Sequence, residues 1–351
     1  MISFYPGPSR VYPAVPRYVQ EAYEEGVLSI NHRSPEFVAI SQRTVALVKE
    51  KLGVPDDYTV FYASSATECW EIISQSLVRH SSYHVHNGAF GQKWFRYAQQ
   101  LQPRAEQYAF NFQQSLRASQ LEPSSEAEVI CLTHNETSNG TALSSATLVD
   151  VRIRFPKPLI AVDATSSLAG VELPIALADV WYASVQKCFG LPAGMAVLIC
   201  SPRALEKAQR VGENRHYNSL LYMQEQMQRW QTTHTPNVLG IYLLMRTLED
   251  RAAIGEVDAQ TQERYQQWVD FLADMKKIHL LVNDPALRSR TVIPIEAAPE
   301  TINQLRAQAR QAGITLGNGY GDLKPTTLRI ANFPAILDEE IVQLKNFLRE
   351  F

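Results

Sequence analysis

Apolar and polar positions along the chain fall into two textures. From about residue 55 to 200, short apolar runs alternate with amphipathic ones. "YTVFYA" (58–63) reads as a strand, and "ATECWEIISQSLV" (66–78) as the helix that follows it. "SYHVHNG" (82–88) and "FGQKWFRYAQQL" (90–101) repeat the pair. "AEVICLTHN" (127–135), "PLIAVDAT" (158–165), "DVWYASV" (179–185) and "MAVLICS" (195–201) supply further strand-like runs. Strands alternating with helices predict an α/β fold with a mostly parallel, doubly wound sheet. Runs apolar on both faces, such as "VICL" and "AVLIC", fit strands covered on both sides.

After about residue 240 the texture changes. "IYLLMRTLEDRAAIGEVDAQTQERYQQWVDFLADM" (241–275) reads as one long helix. Strand-like "TVIPIEA" (291–297), helical "ETINQLRAQARQAG" (300–313), strand-like "TLRIANF" (327–333) and helical "DEEIVQLKNFLREF" (338–351) follow. This predicts a small α+β domain at 245–351 behind a large domain at 16–244. Segment 1–15, with Pro6, Pro8 and Pro13, is too irregular for a core. It is expected to pack across both domains.

In open parallel sheets, ligands bind beyond the carboxyl ends of the strands. "SSAT" (64–67) follows the first strand and opens a helix. Its small residues suit either an anion cradle at a helix N-terminus or an ordinary N-cap. "NGAF" (87–90) follows the second, where Phe90 suits either a flat ring or the core. "HNETSNG" (134–140) follows the third as a polar turn. Asp163 closes the fourth, as a partner for a cation or as a cap. Gln186 and Lys187 follow the fifth. A lysine is costly to bury, yet this one directly follows an apolar strand. One rim thus collects an anion site, a ring stacker, a carboxylate and a lysine. Pyridoxal phosphate would use all four, because its chemistry needs a Schiff-base lysine and an acidic partner for the ring nitrogen.

Composition narrows the picture further. A net charge of −3 gives no electrostatic argument for nucleic acid or for an anionic membrane. No apolar run approaches the ~18 residues of a membrane span, and "MISFYPGPSR" does not read as a signal peptide. Cys69, Cys131, Cys188 and Cys200 form no paired metal motif and read as reduced thiols. A cytoplasmic protein without a metal site is expected.

At these residues the sequence resembles the class V branch of the fold-type-I aminotransferases, and within it the phosphoserine aminotransferases. "FYPGPSRVYP", "SINHRSPEF" (29–37), "HNETSNG", "SVQKCFGLPAG", "THTPN" (233–237) and "LRIANF" (328–333) carry the resemblance. It implies Lys187 as the Schiff-base lysine and Asp163 as the pyridinium partner. Phe90 would lie over the ring and Thr137 would bond the ring hydroxyl. The backbone at Ala66 and Thr67, with Gln186, would hold the cofactor phosphate. Thr235 and His234 would reach that phosphate from a partner subunit, giving a homodimer with composite sites; the family commonly has Asn at position 234. Arg329 would clamp the α-carboxylate, while His32 and Arg33 would contact a substrate phosphate. Two departures stand out. The phosphate loop is poorer in Gly than is usual. Where the phosphoserine enzymes carry a second basic pair, "GDLKPTT" (321–327) offers only Lys324.

The implied reaction is L-glutamate plus 3-phosphohydroxypyruvate giving 2-oxoglutarate plus O-phospho-L-serine. "NHRSPEF" is also similar to the glyoxylate-type enzymes of the class, which act on alanine or serine. A cysteine desulfurase would need a mobile nucleophilic cysteine, and Cys188 is poorly placed for that. A plain nucleotide-binding domain lacks its Gly-x-Gly-x-x-Gly here.

Overall fold

The computed structural model describes residues 2–351. The chain opens on a short strand, β1 (Ile2–Phe4), and two helices, α1 (Val15–Glu24) and α2 (Pro35–Leu52). Next come β2 (Thr59–Ala63), α3 (Ala66–Leu77), β3 (Ser81–His86), α4 (Ala89–Leu101), β4 (Glu106–Ala109) and β5 (Ala127–Thr133). A small hairpin, β6 (Asn135–Glu136) and β7 (Thr141–Ala142), leads to α5 (Ser145–Arg154). Then follow β8 (Leu159–Asp163), β9 (Val180–Ser184), β10 (Ala196–Cys200), α6 (Pro202–Val211), α7 (Leu220–Met227), α8 (Val238–Asp250) and α9 (Ile254–Ala273). The remainder is β11 (His279–Leu280), β12 (Val292–Glu296), α10 (Pro299–Gln311), β13 (Ile314–Asn318), β14 (Thr327–Ala331) and α11 (Asp338–Glu350).

Seven strands form the main sheet in the order β2-β10-β9-β8-β5-β3-β4. Strands β9, β8, β5, β3 and β4 pair in parallel. Only β10 runs antiparallel, wedged between β2 and β9. Every residue of β3, β8, β9 and β10 is buried, as the two-sided apolar sequences of β8, β9 and β10 require. The carboxyl ends of β8 and β9 therefore meet side by side, with Asp163 in register with Tyr182.

The second sheet has the order β1-β13-β14-β12-β11. Here segment 1–15 departs from its expected irregularity. Strand β1 pairs in parallel with β13, and Phe4 is fully buried. Further on, the Ser9 amide donates to Gln186 O at 3.0 Å and the Tyr12 amide to Gly190 O at 2.9 Å. These bonds strap the segment across the loop that carries Lys187.

The expected single helix over 241–275 is two helices, α8 and α9. The break at Arg251–Ala253 has a tertiary cause. Arg251 is buried, and its guanidinium donates to the carbonyls of Ala169 and Cys188. Reaching them takes the Arg251 backbone to an extended conformation. A boundary at 244–245 falls inside α8, which packs on α1 and α2.

Candidate active site

Lys187 answers to the loop that holds it. The Gly190 amide donates to Lys187 O, the Leu191 amide to Val185 O, and the Val185 amide to Met195 O. Gly190 has φ +65°, and a Cβ there would lie 2.6 Å from the Tyr12 ring, so the tight turn needs glycine. The closed loop turns Lys187 back into the protein, where it is only 7% exposed. Its Nζ donates to Thr137 Oγ1 at 3.0 Å and lies 5.2 Å from the centre of the Phe90 ring. Burial pulls its pKa down to about 8, against the opposing pull of Asp163.

Asp163 ends β8 fully enclosed. It accepts from the Thr165 amide at 2.9 Å. Burial still raises its pKa, although Thr165 and Lys187 oppose the rise. Thr137 is anchored on three sides. Besides Lys187 it bonds the Ser166 hydroxyl, and its carbonyl accepts from Arg329 Nη1 at 2.8 Å. Arg329 sits on β14, with its Nε donating to Asn318 O at 2.7 Å. The second sheet thereby delivers a buried guanidinium beside the end of the first.

These residues line a cavity of about 650 Å³. Ala66, Thr67, Phe90, Thr137, Asp163, Gln186, Lys187 and Arg329 all face it, so the structure brings together eight of the residues singled out by sequence. Ser65 caps α3 by accepting from the Glu68 amide at 3.0 Å. The N-cap is thus present, while the Ala66 amide donates to Ser184 Oγ at 3.2 Å and Thr67 faces the cavity from the same helix start. Five buried polar atoms of lining residues have no partner: Trp70 Nε1, Thr133 Oγ1, Asn135 Nδ2, Thr165 Oγ1 and Gln186 Oε1. Orphaned buried groups are costly, and a polar ligand relieves them. A ligand bearing both acceptors and donors, as pyridoxal phosphate does, suits this mixed set of hydroxyls, N–H groups and an amide oxygen.

Five expected positions lie elsewhere. Lys324 follows a short helical turn (Gly321–Leu323), is exposed and does not line the cavity. That turn takes its side chain away from the site assigned to it. His32, Arg33, His234 and Thr235 do not line their own chain's cavity either. Arg33 donates to Gln226 at 3.2 Å and Gln231 at 2.8 Å. His32 has its pKa lowered by burial and by the nearby charges of Arg33 and His234.

Several lining residues were not foreseen. Tyr5, Pro6, Gly7 and Pro8 form a wall from the strap, and Lys93, Arg96 and Tyr320 stand at the opening. Lys93 and Arg96 could have been found, because they follow Phe90 at three-residue steps on one helix face. "FYPGPSRVYP" marks the strap as a segment that packs across the domains, but not as a wall of this cavity. Cys188, beside Lys187, is buried, donates to Ser166 O at 3.3 Å and has its pKa pushed up to about 12. It is an inert thiol, not a nucleophile.

A family model, Aminotransferase class-V, matches residues 4–329. The chain belongs to the class V aminotransferases. The aminotransferase is 28% identical to the phosphoserine aminotransferase of Rhodococcus opacus (strain B4), over 96% of this chain and 91% of that one. A solved phosphoserine aminotransferase from Cytophaga hutchinsonii superposes with a TM-score of 0.94 at 34% identity. That match covers 99% of this chain and 98% of the other. An alanine–glyoxylate aminotransferase from Nostoc sp. superposes at 0.84 with 20% identity, covering 99% and 94%, which shows the shared fold alone. The enzyme is thus pyridoxal-phosphate dependent with an α/β fold of type I. Among the described residues no helix is long and apolar enough to cross a membrane.

Proposed function

We propose that this aminotransferase transfers the amino group of L-glutamate to 3-phosphohydroxypyruvate, giving 2-oxoglutarate and O-phospho-L-serine. The observation that carries the reading is the 34% identity to a phosphoserine aminotransferase along nearly the whole chain.

Bound pyridoxal phosphate supplies an electron sink for the pair left when the substrate Cα loses its proton. Lys187 is the residue that holds the cofactor covalently and, when free, moves the Cα proton. An amine with a pKa near 8 is well matched to that work at neutral pH. Asp163, buried at the end of β8, would hold a proton on the ring nitrogen. Ala66, Thr67 and Gln186 hold the phosphate end, and Phe90 covers the ring. Arg329 grips the α-carboxylate, which sets the Cα–H bond for attack by Lys187.

His32, Arg33, His234 and Thr235 enter through a second subunit in this reading. They gather away from their own cavity, and we place them at the neighbour's, in a symmetric dimer with two composite sites. Arg33 then meets the substrate phosphate with a fixed fork of donors.

A steady-state panel tests the reading, with phosphoserine, serine and alanine as donors and 2-oxoglutarate or glyoxylate as acceptor. Phosphoserine with 2-oxoglutarate is expected to give the highest kcat/KM. Arg33→Ala should lower it about 10- to 150-fold, the worth of a charge-assisted contact, and leave alanine nearly unchanged. A wild-type preference for alanine or serine with glyoxylate would replace this reading by the glyoxylate type.

A further inference from the structure

With Lys324 outside the cavity, the cation that meets the far end of an acidic substrate within this chain has to be sought elsewhere. Lys93 stands one turn after Phe90 on α4, and Arg96 one turn later. Both line the cavity and both are exposed. Among the described residues, neither has a carboxylate within ion-pair distance. Two uncompensated cations at the mouth of one cavity make an electropositive opening.

Lys93 is also held in place. Its Nζ donates to the hydroxyl of Tyr320, which stands between β13 and β14. The Tyr320 ring packs on Phe90 with centres 5.4 Å apart. Lys93 Nζ lies 5.1 Å from the centre of the Tyr320 ring, and Arg329 Cζ lies 5.7 Å from it. One aromatic ring therefore has the α-carboxylate cation and the mouth cation as its neighbours. Both cations line the same cavity, so a small molecule with its carboxylate on Arg329 and a second anion at its far end has a cation for each end.

We propose that Lys93, positioned by Tyr320 and assisted by Arg96, selects substrates by their distal anionic group. This rests on the transamination proposed above, and it explains a requirement of that reaction. Both half-reactions use one site, so its distal cations must meet a carboxylate in glutamate and a phosphate in phosphoserine, and Lys93 adds to the Arg33 proposed to enter from a second subunit. A flexible ammonium acts as a point charge and accepts anions of either shape, whereas a rigid fork suits one geometry better. The resting partner of Lys93 is a neutral hydroxyl, so an incoming anion displaces no competing charge.

The test uses holoenzyme, Lys93→Met, Lys93→Arg and Tyr320→Phe, with phosphoserine, glutamate and alanine in single turnovers. Glutarate and butyrate, a two-anion and a one-anion probe, are titrated against the cofactor absorbance. Lys93→Met should lower kcat/KM roughly tenfold for both acidic donors, a modest loss because the lysine is exposed. Alanine should change by less than about twofold, and glutarate should bind roughly tenfold more weakly while butyrate does not. Lys93→Arg should restore most of the loss, Tyr320→Phe should show part of it, and added salt should shrink the difference. A wild-type enzyme that favours alanine over both acidic donors overturns the reaction reading. A wild-type preference for acidic donors that survives Lys93→Met, or a loss equal for all donors, overturns the role of Lys93 alone. A loss confined to phosphoserine overturns the shared anion site.

Discussion

Glu136 caps the helix that carries Phe90. Its carboxylate accepts from the Phe90 amide at 3.2 Å and the Gly91 amide at 3.1 Å. The N-cap position of α4 is Gly88, which has no side chain to do this itself. A Cβ at Gly88 would fall 2.3 Å from Glu136 Cγ, so glycine makes room for the borrowed cap. The same carboxylate accepts from the amide and hydroxyl of Ser138. It thereby locks the helix bearing Phe90 to the loop bearing Thr137. Glu136→Ala leaves those donors buried and unpaired, and it should cost about 2–3 kcal/mol in urea unfolding. An unfolding midpoint equal to that of wild type would show that the cap carries no stability.

Lys187 fixes a pH dependence. A folded pKa near 8 lies below the 10.5 of a free lysine, because burial favours the neutral amine. Only the neutral amine attacks an aldehyde. Its fraction is roughly a tenth at pH 7 and rises through pH 8. Covalent capture of pyridoxal phosphate by the apoenzyme should therefore speed up with pH to about 8 and then level off. Stopped-flow absorbance follows it. A rate still climbing steeply toward pH 10 would mean that burial does not shift this amine.

In the proposed reaction, Asp163→Asn removes the charge that would keep the ring nitrogen protonated. That interaction matters most when the electron pair develops, so the loss belongs in kcat. A fall of about a hundredfold or more is expected, as for other preorganised charges. An unchanged kcat with only a raised KM would make Asp163 a plain cap for the turn at Thr165.

Gly7 has φ +148°, and a Cβ there would approach Lys187 Cε to 2.9 Å. Gly7→Ala adds backbone strain of about 1–2 kcal/mol and presses on the amine. Turnover should fall about tenfold while the circular dichroism of the fold is kept. Full activity in this variant would show that the strap is loose at this point.

The main sheet and the heart of the site were legible because they obey local rules. Strands β8 and β9 are two-sided apolar runs, and each stops at a polar residue that a buried strand cannot carry further. Asp163 and Lys187 are read off those stops. Other features have tertiary causes. Strand β1 has three residues, and its partner lies in another part of the chain. The break after α8 follows from where Arg251 finds carbonyls, not from a Gly or Pro. Lys324 stands out as the only basic residue where the resemblance implies a basic pair, and the turn at Gly321–Leu323 leaves it exposed outside the cavity. Lys93 sat in plain view at a helical step from Phe90, but its meaning depends on Tyr320, which arrives from β13.

The pairing of Ile2 with Ile314 also sets an order of events during synthesis. Strand β1 emerges from the ribosome about 310 residues before the strand it joins. At ~5–20 residues per second, it waits roughly 15–60 s unpaired. Throughout that time Phe4 has no core to enter, and the proline-rich strap has no anchor at its outer end. The main sheet can assemble meanwhile, since its strands end at Cys200. The strap can by then bond the Lys187 loop through Ser9 and Tyr12, while its outer end at β1 stays unpaired. Ribosome-stalled chains ending before β13 should accordingly leave the strap open to protease, and release of the full chain should close it. The strap's outer anchor thus waits for β13, which is made after every strand of the main sheet.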